Sequence, residues 1–123
     1  MAADPMDGIA PGTAYRAAGI THRQGHHWRR TGLVRPSLGG GARHARARYS
    51  LDDVVALRIV RDLLAAGVTL GRVRRAVAAL RRYDRWPPSA RILTDGREVY
   101  IARTARDLLA LVDRPGQITI REA

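Results

Sequence analysis

Two stretches in the middle of the chain repeat apolar residues at helical spacing. In the first, Val54, Leu57, Val60, Leu63 and Leu64 share a face, Ser50 and Asp53 form a capping box ahead of it, and Gly67 stops it. In the second, Thr69 is the cap, Leu70, Val73, Val77 and Leu80 line one face, and Arg72, Arg74, Arg75, Arg81 and Arg82 occupy the rest. These apolar residues are expected to pack the core, not to hold a cofactor. Two shorter helices precede them. Thr13 is placed to cap "TAYRAA", which Gly19 ends; Ile20 packs the turn, and Thr21 caps a helix that runs to about Thr31 and stops at Gly32. The outline is helix, turn, helix, an arrangement common enough to say little alone.

Between these pairs, "SLGGGARHARARYS" places three glycines between an apolar arm and an arm of alternating arginines that ends at Tyr49. That pattern predicts a basic hairpin, or wing, in preference to a featureless linker. Paired prolines at 87 and 88 end the fourth helix. Beyond them, "RILTDGREVYIA" alternates on either side of Asp95-Gly96, Thr104 and Asp107 cap "ARDLLALV", and "QITIRE" alternates again, giving a ββαβ module. The pattern thus divides the chain into a flexible tail over 1–12, a helical winged domain over 13–86 and the small module over 87–123. The fold class is mainly α, followed by an α+β appendage too small to bury much surface alone.

Charge changes the picture more through its placement than through its total of +11. Residues 13–49 hold eight arginines and no carboxylate, whereas residues 87–123 hold six arginines against five acids. A solvated face normally mixes signs, so an acid-free stretch favours a polyanionic partner. All 22 basic residues are arginine, and lysine, asparagine and phenylalanine are absent, a bias that codon supply in a GC-rich genome explains in part.

Several chemistries are disfavoured. Cysteine is absent, which removes disulfides, thiolate metal sites and thiol nucleophiles. His22 and His26 stand at a spacing that can share a metal, with His27 and His44 nearby, but no carboxylate accompanies them and eight arginines would repel the cation. Exposed polar residues on an anion-facing helix are the better reading, and no cofactor is implied. The serines and acids form no catalytic constellation, so an enzyme is not expected. No apolar run is long enough to span a bilayer, and residues 21–31 offer only Trp28 as a large apolar side chain, too little for an interfacial helix. A soluble cytoplasmic, nucleoid-associated protein is expected.

The ordered series "AAGITHRQGHHWRRTGLVRP" and "ARYSLDDVVALRIVRDLLAAGVTLGRVRRAV", over about residues 12–82, resembles the MerR-type transcription regulators. The tail with "TDGREVYIA" and "GQITI" is similar to that of a short actinobacterial branch lacking the long coiled coil. The resemblance implies a winged helix-turn-helix whose second helix enters the major groove, with Thr21, His22, Arg23, Gln24, His26 and His27 at the DNA, Arg30 near the backbone and Trp28 at an aromatic position near the phosphates. Wing residues Arg43, His44, Arg46 and Arg48 would clasp the backbone. Side-chain chemistry agrees, since Arg bridges a guanine edge or a phosphate and Gln can pair with adenine. Double-stranded DNA is the implied partner, bound by a homodimer, with RNA polymerase as a further candidate. The alternatives are an architectural or recombination-accessory DNA-binding protein, or an adaptor whose C-terminal module recruits a partner. The chain departs from the family at Gly25, where a large apolar residue usually anchors the recognition helix. Glycine inside a helix costs about 1 kcal/mol relative to alanine, so a loosely held or DNA-ordered helix is expected.

Overall fold

The computed structural model describes residues 8–39, 46–83, 85–88, 91–97 and 99–102. It is mainly helical, with four helices and a two-stranded hairpin among the described residues. Two compact units divide it, one up to Arg61 and one from Asp62 onward.

In the first unit, α1 spans Pro11–Ala18. It begins two residues before Thr13, the expected cap, because Pro11 sits at its first position with φ already helical and no N–H to satisfy. The hydroxyl of Thr13 instead accepts a bond from the Arg16 guanidinium at 3.4 Å. Gly19 closes the helix at φ 74°, a left-handed conformation that side chains disfavour, and the Ile20 N–H reaches back to the Tyr15 carbonyl. Helix α2, His22–Arg30, starts two residues later with the full reciprocal box. Thr21 Oγ1 accepts from the Gln24 N–H at 3.0 Å, and Gln24 Oε1 accepts from the Thr21 N–H at 3.0 Å.

The wing root is a pair of isolated antiparallel bridges. Leu38 and Arg48 exchange backbone bonds of 2.9 and 2.7 Å, and Ile9 and Tyr49 exchange bonds of 2.7 and 2.8 Å. The second bridge corrects the expected flexible tail over its described part, residues 8–12: Ile9 is paired and Gly8 buried, because the backbone groups of Tyr49 need partners and Ile9 supplies them, while residues 1–7 lie outside the described residues. Helix α3, Leu51–Ala65, opens with the expected capping box, in which Ser50 N–H donates to Asp53 Oδ2 and Asp53 N–H to Ser50 Oγ. The same Asp53 oxygen accepts from Ser37 N–H at 2.8 Å and Ser37 Oγ at 2.7 Å, which ties the first wing arm to the helix start. Ala14, Tyr15, Ala18, Ile20, Trp28, Leu33, Val34, Tyr49, Ala56, Leu57 and Val60 are the buried apolar residues of this unit.

In the second unit, Thr69 Oγ1 caps α4, Leu70–Tyr83, and Val73, Val77 and Leu80 are buried as their spacing predicts. Strands β1, Arg91–Thr94, and β2, Val99–Ala102, pair antiparallel from Arg91↔Ala102 to Thr94↔Val99. Asp95 organises the loop, accepting from the Arg97 N–H on one oxygen and from the Tyr100 hydroxyl on the other. The hairpin of the expected ββαβ module is therefore present. Its helix over "ARDLLALV" and its last strand over "QITIRE" lie outside the described residues.

Candidate nucleic-acid interface

Helix α2 divides cleanly around its axis. At about 100° per residue, His22, His26, Arg30, Arg23 and His27 fall within an arc of about 140°, while Gly25 and Trp28 fall on the other side. Burial follows that division: His22, Arg23, His26 and Arg30 are exposed, His27 is half-buried, and Gly25 and Trp28 are buried. Every ionisable side chain on this arc is cationic or an imidazole. The imidazoles of His22 and His26 stack at 5.8 Å with an interplanar angle of 26°, and the Arg30 guanidinium lies 3.5 Å from Nδ1 of His27. Among the described residues no three His, Asp or Glu side chains gather as a metal ion would need, and no helix is long and apolar enough to cross a membrane.

The remaining expected site residues separate into three groups. Thr21 and Gln24 stand at the N-terminal end of α2, outside the arc, and the Gln24 side-chain carbonyl oxygen is engaged in the cap, which leaves its amide nitrogen to face a ligand. Trp28 is corrected: it is 2% exposed and belongs to the core, since the only large apolar side chain of a short helix is also what docks it. In the wing, Arg46 is exposed and Arg48 half-buried, whereas Arg43 and His44 lie outside the described residues.

This arrangement is matched by a known group of proteins. The profile of the MerR HTH family regulatory proteins covers residues 11–86, from the first helical residue through α4 to Trp86. The chain belongs to the MerR family. It is similar to uncharacterized HTH-type transcriptional regulators of Mycobacterium bovis and of two strains of Mycobacterium tuberculosis, with 36% identity over 111 residues in each case. The match takes in 89% of this chain and 49% of theirs, so the chain spans about half the length of the curated relatives it matches.

Within the MerR family frame, two tyrosines that sequence reasoning left aside organise the site. Tyr15 on α1 and Tyr49 at the wing root are 1% and 0% exposed, and their hydroxyls share a hydrogen bond of 2.8 Å. Burial, reinforced by the Tyr15 hydroxyl and opposed by Arg29, pushes the Tyr49 phenol well above its ordinary range. Gly25 does not leave α2 unanchored. The ring of Tyr15 lies against it so closely that a Cβ at position 25 would overlap ring atoms Cδ1, Cε1 and Cζ. The large apolar group that MerR-type helices usually carry is supplied here from α1. Helical phase was the available signal: Tyr15 shares the face of Ala14 and Ala18 toward the turn, but its partner is ten residues away on another helix.

Proposed function

We propose that this protein is a sequence-specific transcription regulator that binds double-stranded promoter DNA, with α2 in the major groove and the wing arginines along the phosphates. The observation that carries the reading is the α2 arc, on which His22, Arg23, His26, His27 and Arg30 face outward with no carboxylate among them. A helix is the width the major groove admits, and Arg donors there can engage guanine edges or phosphates. The regulator names of the mycobacterial relatives support the same reading. The site comprises Thr21, His22, Arg23, Gln24, His26, His27 and Arg30 on α2, with Arg43, His44, Arg46 and Arg48 on the wing. Trp28 supports it from below.

The organisation proposed is a DNA-binding domain over 13–86, which residues 9–12 join through the Ile9–Tyr49 bridge and the start of α1, and a module over 87–123 that brings two copies together, so that paired half-sites are read by a homodimer. RNA polymerase is the natural downstream partner of such a regulator, and the cytoplasm, at the nucleoid, is where it would act. Titration of fluorescent duplex at several salt concentrations tests the interface. Arg23→Ala and Arg30→Ala are each expected to weaken binding, and loss of one phosphate contact flattens the log–log salt slope by about one unit. If both variants keep wild-type affinity and slope, α2 does not face DNA.

A further inference from the structure

The notch at Gly25 joins the buried side of α2 to its exposed side through a single ring. Tyr15 fills the notch, and the ring has no room to retreat. It is almost fully buried, and its hydroxyl is bonded to Tyr49, whose backbone is in turn bridged to Ile9. The same ring meets His22 edge-on at 5.2 Å and 90°, and His26 at 6.0 Å and 66°. These are the two imidazoles that stack on each other at the edge of the basic arc.

Each contact constrains a different coordinate. A ring seated on a helical glycine lets the two backbones approach more closely than any side chain at 25 would allow, which sets how deep α2 lies on α1. The edge contacts with His22 and His26 set the rotation of α2 about its axis and limit the rotamers of both imidazoles. Neither constraint concerns charge.

We infer that Tyr15, seated in the Gly25 notch, is a positioning residue that sets the base preference of the recognition helix without contacting DNA. The inference rests on the reading of α2 as the DNA-facing helix. Its consequence follows from the two kinds of DNA contact. Attraction between arginines and phosphates varies slowly with distance and survives a small shift of the helix, whereas a hydrogen bond to a base edge is lost when the helix moves by about an ångström. Removing Tyr15 should therefore reduce selectivity far more than general affinity for duplex. A purely structural role would lower both together, in proportion to the folded fraction.

The test compares the full-length wild type with Tyr15→Phe, Tyr15→Ala, Gly25→Leu and Tyr15→Ala/Gly25→Leu. Each protein is used to enrich binders from a random duplex pool, then titrated against the wild-type consensus duplex and a scrambled one, with melting followed by circular dichroism. Tyr15→Phe keeps the ring and is expected to enrich the wild-type consensus. Gly25→Leu alone should melt well below wild type, because leucine and the ring compete for one space. Tyr15→Ala should bind scrambled duplex within about twofold of wild type and lose about tenfold on the consensus, the worth of one base-edge contact. The double variant should recover the melting temperature lost by Gly25→Leu while enriching a different or weaker consensus.

Two results overturn the inference: Gly25→Leu as stable as wild type, or a folded double variant with wild-type consensus and wild-type selectivity. A wild type that enriches no sequence refutes the parent reading of sequence-specific binding and the selectivity role with it. The melting comparison then decides the Tyr15–Gly25 packing by itself.

Discussion

At the residue scale, the Tyr15–Tyr49 pair shows how a polar group is kept in a core at little cost. Each hydroxyl satisfies the other, so removing one strands its partner, whereas removing both leaves nothing unpaired. Tyr49→Phe is expected to lower unfolding free energy by about 1–3 kcal/mol, and Tyr15→Phe/Tyr49→Phe to recover most of that loss in urea titrations. Two single losses that simply add would show that the hydroxyls do not interact. The pair also has a pH signature. Folding raises the Tyr49 pKa through burial and the Tyr15 hydroxyl, so the folded state holds this proton more tightly than the unfolded chain does. Below about pH 10 both states are protonated and this contribution to stability is complete; it is lost as pH rises further. The urea midpoint should therefore be unaffected by this group up to about pH 10 and fall as pH rises above it, less steeply in the double phenylalanine variant.

At the scale of elements, Asp53 does two jobs with one oxygen. It closes the capping box of α3 through Ser50, as the sequence pattern implies, and it also holds Ser37 by backbone and side chain. Since Ser37 begins the arm that pairs Leu38 with Arg48, the carboxylate anchors the wing root to a helix terminus whose dipole favours negative charge. Asp53→Ala should cost about 1.5–3 kcal/mol, the worth of a hydrogen bond to a charged group, and speed amide exchange at Leu38 and Arg48. Ser37→Ala keeps the backbone bond and should have a smaller effect on the same amides. Exchange at those positions that is indifferent to Asp53→Ala would separate the wing from the cap.

At the scale of the whole molecule, the proposed dimer is best tested by point substitution in the full chain. Val99 and Tyr100 are buried, so cutting the chain before the hairpin would strip core from the second unit. Helical spacing of Leu108 and Leu111, together with the strand pattern around Ile120, predicts an apolar surface too large for a module of this size to cover alone. Wild type should sediment as a dimer, and Leu108→Asp/Leu111→Asp as a monomer that binds single half-sites but not paired ones cooperatively. A doubly substituted protein that still dimerises would move self-association elsewhere in the chain.

Local interactions explain which features could be read directly from the chain. The Thr21 and Ser50 caps, the stops at Gly19 and Gly67, the apolar faces of α3 and α4 and the hairpin at Asp95 each depend on residues a few positions apart, so their chemistry is written in consecutive letters. The acid-free segment is equally plain, because charge at this density needs no fold to be noticed. The tertiary structure decided where Trp28 points, which residue anchors α2, what holds the wing root and what Ile9 pairs with. Those outcomes join Tyr15 to Gly25, Tyr15 to Tyr49, Ser37 to Asp53 and Ile9 to Tyr49. No local spacing marks such pairs, since each forms only when separate elements pack. A glycine that weakens a helix in isolation becomes, under a neighbouring ring, the place where that helix is held.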